Sequence, residues 1–209
     1  MIDKTKWVNS PQHQYILDTY FQDSPIRIGE RAEGNPVEDG ILTLGMRAGP
    51  QICLTNLIHE MCHLVEIDDE RMLISGWGLR TPEVYVPGRY SHMASVPISW
   101  QPIKREVRVI ALQWQLQQSI GITGTKREAL SAMEYMPDWC NVPCGRPENY
   151  DEMEWEERDV IRPTFTENRF ALLEKYMDEC IAGKYTLTFL NEEWKRKTDL
   201  LRRAQVIAA

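Results

Sequence analysis

The chain has 209 residues, of which 43% are hydrophobic and 26% are charged, which is the balance of one folded globular domain that needs no disulfide bonds to bury a core. Its 31 acidic residues outnumber its 24 basic residues and give a net charge of −7. A field of that sign repels polyanions, so the composition disfavours DNA or RNA as the main partner.

The first elements in the chain are a helix and a group of short strands. Apolar residues recur at helical spacing over 12–21, after Ser10 and Pro11, which are typical of a helix start. From 26 to 46, short apolar runs are separated by turns that contain glycine. This pattern predicts two or three strands, of which the last, over 40–46, leads into a helix.

The rest of the chain is predicted to be mainly helical. A helix with a wide apolar stripe over 54–65 is followed by a Gly-, Pro-, Trp- and Tyr-rich stretch at 76–102, which indicates a long loop. Pro102 then opens a second helix that reaches about Ser119 and is apolar on nearly all sides, as a buried helix is. Further helices are predicted near 125–136, 165–182 and 190–205.

These elements predict an α+β fold class. We expect one helix-dominated domain over 1–209, with a small sheet packed on the first long helix. A core at about 40–118 would carry the chemistry, and a helical C-terminal part would occupy about 125–209.

The first long helix contains the sequence His-Glu-Met-Cys-His at 59–63. At ~100° per residue, His59 and His63 lie one turn apart on the same face, so both imidazoles can reach one metal ion. Glu60 lies beside that pair, where it could take a proton from water that the metal activates. The motif predicts a hydrolytic zinc site, although another divalent ion or an accidental match on an ordinary helix is the alternative.

A catalytic zinc site of this kind needs a third protein ligand and leaves the fourth position to water. Three acidic residues soon after the motif are weak candidates, because they could bind the same ion only if the helix ended just after His63: Glu66, Asp68 and Asp69. His92, in the predicted loop, could supply a third imidazole.

Glu106 is the best candidate for the third ligand. It lies near the start of the nearly apolar second helix, where a charged carboxylate is costly unless a cation compensates it. The alternative is an acidic residue in the first turn that pairs with Lys104, Arg105 or Arg108.

These residues resemble the gluzincin branch of the zincin metallopeptidases, in which a helix with His-Glu-x-x-His precedes a helix that supplies a glutamate ligand. The run 104–114 looks like that second helix, with Glu106 in the ligand position. Residues 40–118 are also similar to uncharacterised metallopeptidases encoded by tailed phages. The resemblance implies a zinc-dependent peptidase acting on a protein or peptide, with Glu60 as base and then acid. Tyr90 or His92 could stabilise the oxyanion.

Two other interpretations remain open. The motif helix is also similar to that of SprT-like proteases, which use a third histidine; here that ligand would be His92, but it lacks the His-Gly setting typical of them, and a net charge of −7 suits their association with DNA poorly. A second alternative is a binding or regulatory protein on a zincin scaffold that keeps the metal without turnover.

The remaining features concern location and the C-terminus. No part of the sequence approaches the ~18 apolar residues of a membrane span, and the N-terminus lacks the features of a signal peptide. Five irregularly spaced cysteines fit free thiols in a reducing compartment, so we expect a cytoplasmic protein with no membrane partner. Basic residues of the last helix are expected to form a solvated face: Lys195, Arg196, Lys197, Arg202 and Arg203.

Overall fold

The computed structural model describes residues 10–31, 41–45, 50–69, 100–131 and 154–208. Helices dominate these ranges, and one pair of short strands accompanies them. The helices are α1 (Pro11–Ile16, which continues as a π-helix over Leu17–Phe21), α2 (Pro50–Glu66), α3 (Trp100–Ser119), α4 (Lys126–Ser131), α5 (Trp155–Ala182) and α6 (Leu187–Ala208). The strands are β1 (Arg27–Arg31) and β2 (Ile41–Gly45).

The helices predicted from periodicity are confirmed where the structure describes them. α2 contains the whole motif, and α3 begins at Trp100 rather than at Pro102. α5 begins at Trp155, well before the predicted start near 165. The predicted loop lies outside the described residues up to position 99.

The predicted α+β fold class is wrong, because the described part of the chain is helical. Its one strand pairing is β1 with β2, which run parallel from Arg27 opposite Ile41 to Arg31 opposite Gly45. Two strands of five residues are too small to form a layer over a helix of 17 residues. Within the described ranges, most of the buried residues that pack with the motif helix lie on other helices, although β2 also contacts it. The sequence pattern over 26–46 predicts the strands themselves, but it does not indicate which elements form the core.

The apolar face of α2 packs against helices from both ends of the chain. Leu57, Ile58, Met61 and Leu64 are fully buried. They share one core cluster with residues of α1, α3 and α6: Ile16, Leu17, Tyr20, Phe21, Val109, Leu112, Leu116, Leu190, Trp194 and Leu201. A second cluster lies between α3, α4 and α5: Ile103, Val107, Ile110, Ala111, Leu130, Phe170, Leu173, Met177 and Cys180. α3 contributes to both clusters, which holds it firmly beside α2.

The segment formed by α1 and its π-helical continuation packs against α6. Its start is capped by Ser10, whose hydroxyl accepts a hydrogen bond of 3.1 Å from the backbone of His13. At its end, the indole of Trp194 donates a 2.9 Å hydrogen bond to the carbonyl of Tyr20 and packs edge-on against Phe21. These contacts hold α1 and α6 together and use no polar residue of the motif.

Three expectations about thiols, surface and membrane can be compared with the described residues. Cys62 and Cys180 are free and buried. The prediction of a solvated basic face is confirmed for the exposed residues Lys195, Arg196, Arg202 and Arg203. It is wrong for Lys197, which is only 2% exposed. No helix in the described ranges combines the length and the apolar character that crossing a bilayer requires.

Candidate metal centre

The three predicted metal ligands lie together between α2 and α3. Nε2 of His59 is 3.0 Å from Nε2 of His63 and 3.1 Å from Oε1 of Glu106. Nε2 of His63 is 3.5 Å from Oε2 of Glu106. One ligand atom of each residue lies within 4.8 Å of the other two, so the group could hold a metal ion.

The hydrogen bonds around these atoms fit a cation. Oε1 of Gln113 is 2.8 Å from Nδ1 of His59. Since an amide oxygen only accepts hydrogen bonds, Nδ1 carries a hydrogen, and a metal that replaces the proton on Nε2 would bind the lone pair there. Oε2 of Glu106 is buried and accepts no hydrogen bond from any residue in the described ranges. A divalent cation would satisfy both atoms.

The pKa of each of the three groups depends on the charge of at least one of the other two as well as on burial. Burial lowers the pKa of His59, but the charge of Glu106 and its hydrogen bond to the ring outweigh burial and raise it. Burial lowers the pKa of His63. Burial alone would raise the pKa of Glu106, but the two imidazoles reverse this and lower it to about 2. The carboxylate is therefore ionised at neutral pH and requires one positive charge, from a proton or a metal, beside it.

Glu60 is the fourth polar side chain of the site and is 8% exposed. Burial raises its pKa to about 7, with the negative charge of Glu106 adding to the effect and His59 opposing it. A carboxyl group with a pKa near neutrality can both accept and return a proton under ordinary conditions. Its predicted role as a general base is compatible with this environment.

Two glutamines of α3 extend the polar contacts along α2. Gln113 bonds to His59, and Nε2 of Gln117 donates a 3.2 Å hydrogen bond to the hydroxyl of Thr55. The glutamines are only 7% and 8% exposed, so α3 is buried as predicted, but on this face it is polar side chains that are buried. Sequence reasoning missed Gln113, although it lies about two turns after Glu106 and hence on the same helical face.

Ion pairs join α2 and α3 at the C-terminal end of α2. Glu66 accepts a 2.8 Å hydrogen bond from Nε of Arg108 and lies 3.2 Å from Nε of Arg105. Because the contacts run from Thr55 with Gln117 to Glu66 with Arg105, the two helices are antiparallel. Glu66 is therefore a link between the helices and not a metal ligand.

The other predicted candidates fall into two groups. Asp69 pairs with Arg196 at 2.7 Å, and Asp68 is exposed and lies outside the group that could hold an ion. His92 and Tyr90 lie outside the described residues, so their roles as alternative ligand and oxyanion donor stay predictions.

No protein family, curated protein or solved structure matches this chain.

Proposed function

We propose that this chain is a zinc-dependent metallopeptidase with Glu60 as its general base. The observation that carries the proposal is the convergence of His59, His63 and Glu106 between two packed helices. Two imidazoles and one glutamate are a ligand set of catalytic zinc sites, in which water takes the fourth position. The gluzincin-like order of the motif helix and the glutamate helix supports the same assignment.

The ligand chemistry favours zinc over other common ions. Imidazole nitrogens suit zinc and neighbouring transition metals, whereas magnesium and calcium prefer sites made of oxygen atoms. Zinc has no redox chemistry and adapts to four ligands. The bond from Gln113 to His59 is the kind of outer contact that orients a zinc-binding imidazole.

The proposed reaction is hydrolysis of an amide bond. When bound, zinc supplies Lewis acidity, which polarises the amide carbonyl and lowers the pKa of water. Glu60 accepts one proton as the water oxygen bonds to the carbonyl carbon, and it returns that proton to the nitrogen as the C–N bond breaks. The second proton of the water stays on the new carboxylic acid and then passes to the amine, so the products are a carboxylate and an ammonium group. His59, His63 and Glu106 hold the ion, and the predicted oxyanion donor is Tyr90.

The test is Glu60→Gln, which preserves size and leaves the three ligands intact. We expect zinc content, measured by mass spectrometry of the purified protein, to remain at the wild-type level. We expect cleavage of a quenched fluorescent peptide library to fall roughly 10²–10⁴-fold, since that is the usual contribution of a general base. Glu192→Gln, at an exposed position of α6, is the matched control and should change neither measurement.

Peptide cleavage that survives in zinc-loaded Glu60→Gln would refute the assignment of the base. Absence of cleavage by zinc-loaded wild type across the library would refute the peptidase and support a binding or regulatory role. Zinc lost in His92→Ala but kept in Glu106→Gln would instead support the SprT-like alternative.

A further inference from the structure

Two arginines of α3 bring positive charge into the neighbourhood of the metal centre. Arg105 directly precedes Glu106 in the chain, and Arg108 follows it two positions later. A positive charge close to a bound divalent cation repels that cation, so two uncompensated guanidinium groups here would weaken metal binding. The sequence leaves open whether either arginine pairs with Glu106.

The structure pairs both arginines with Glu66 of α2 instead. Nε of Arg105 is 3.2 Å from Oε2 of Glu66, and Nε of Arg108 donates a 2.8 Å hydrogen bond to Oε1 of the same carboxylate. The side chain of Glu66 is only 6% exposed, so solvent ions screen these contacts weakly. One carboxylate therefore compensates part of the charge of two guanidinium groups.

These ion pairs lie next to two of the metal ligands. Glu66 follows His63 by three residues, which places both side chains on the same face of α2. Nε2 of His63 is in turn 3.5 Å from Oε2 of Glu106. Burial lowers the pKa of His63, and the positive charge of Arg105 lowers it further. A field that opposes a proton on this imidazole also opposes a metal cation at the same nitrogen.

The two arginines differ in how strongly they depend on Glu66. Arg108 has further contacts, because its guanidinium carbon lies 5.5 Å from the centre of the Tyr185 ring and its Nη1 donates a 3.4 Å hydrogen bond to the hydroxyl of Tyr176. For the side chain of Arg105, Glu66 is the one polar partner in the described ranges. Loss of the Glu66 charge would therefore release Arg105 beside the metal centre.

We propose that Glu66 is a positioning residue of the metal centre, which holds Arg105 and Arg108 and offsets their charge so that a divalent cation can bind nearby. It acts through the two arginines and supplies no ligand atom. The proposal rests on the metal centre proposed above, but it does not depend on peptide cleavage.

The test is the zinc affinity of the full chain, measured by competition with a chromophoric chelator at neutral pH. Glu66→Gln keeps the shape of the side chain and removes its charge, so zinc should bind about tenfold more weakly. Arg105→Gln should bind zinc about threefold more tightly than the wild type, because it removes a repelling charge. A purely structural link between the helices predicts weaker binding in both variants.

Combining Glu66→Gln with Arg105→Gln separates the effect of charge from that of packing. The double variant should recover a zinc affinity within about threefold of the wild type, while its unfolding midpoint in urea stays below that of the wild type. If the link were only structural, this variant would bind zinc no better than Glu66→Gln, since it has lost a further contact. Glu167→Gln is the matched control and should leave zinc affinity unchanged, because it removes a carboxylate that accepts a 2.8 Å hydrogen bond from Arg127 between α4 and α5.

Three results would overturn the role of Glu66: an unchanged zinc affinity in Glu66→Gln, weaker binding in Arg105→Gln, or a double variant that binds no better than Glu66→Gln. A wild type that binds no zinc would overturn both this role and the metal centre. Zinc binding with the expected order of affinities but without peptide cleavage would support the role of Glu66 and refute the peptidase alone.

Discussion

Replacing Gln113 by leucine tests whether the second helix orients the metal ligands. The change removes the acceptor for Nδ1 of His59 while keeping a side chain of similar volume. The ring is then free to rotate and to move its proton to Nε2, the atom that should bind zinc. Loss of such an outer contact typically weakens metal binding 10–100-fold, which corresponds to about 1.4–2.8 kcal/mol.

Zinc affinity is measured by competition with a chromophoric chelator at neutral pH, with circular dichroism to confirm the fold. Gln117→Leu is the matched control, because it also removes one hydrogen bond of a buried glutamine from the same face of α3. Both variants should lose about 1 kcal/mol of folding stability. The zinc affinity should fall in Gln113→Leu alone, and Gln113→Glu, which restores an acceptor, should recover it.

Equal loss of zinc affinity in the two leucine variants would show that helix packing, and not the bond to His59, sets the affinity. An unchanged affinity in Gln113→Leu would mean that the ring is oriented by other contacts.

Three further predictions concern the helices that carry the site. Glu106→Gln should retain its circular dichroism spectrum but lose bound zinc by mass spectrometry; a full metal content would remove Glu106 from the ligand set. Glu66→Gln should lower the unfolding free energy in urea by about 2 kcal/mol, since two guanidinium groups lose their charged acceptor; an unchanged midpoint would contradict this. Compared with Lys197→Met, the wild type should gain stability as the pH rises from about 8 towards 10.5. The folded pKa is the lower one, so the unfolded chain binds more protons in that window, and a flat difference in urea unfolding would contradict the shift.

The ligand group could be predicted because it follows from helical geometry. His59 and His63 are one turn apart, and a lone carboxylate near the start of an apolar helix implies a compensating cation. The structure brings Glu106 to both imidazoles. Gln113 could have been found by the same spacing, but a neutral side chain on a buried helix gives no sign by itself of the group it will contact.

The fold class and the environment of Lys197 could not be predicted in this way. Residues 26–46 do contain two strands, but only tertiary packing determines whether helices or a sheet cover α2. Lys197 lies in a run of basic residues that resembles a solvated surface. Its ammonium group donates to the carbonyl of Ile67, just after the end of α2. Local periodicity in the sequence does not indicate that these two groups lie close together.

The antiparallel contact between α2 and α3 has a consequence for how this site tolerates insertions and deletions. All three atoms that could hold the ion belong to these two helices, and the polar contacts on either side of them fix the alignment of one helix along the other. One residue inserted between positions 106 and 113 would turn Glu106 by about 100° relative to Gln113 and separate the ligands. The three atoms found among the described residues all belong to the two helices, so their geometry depends directly on how one helix is aligned with the other.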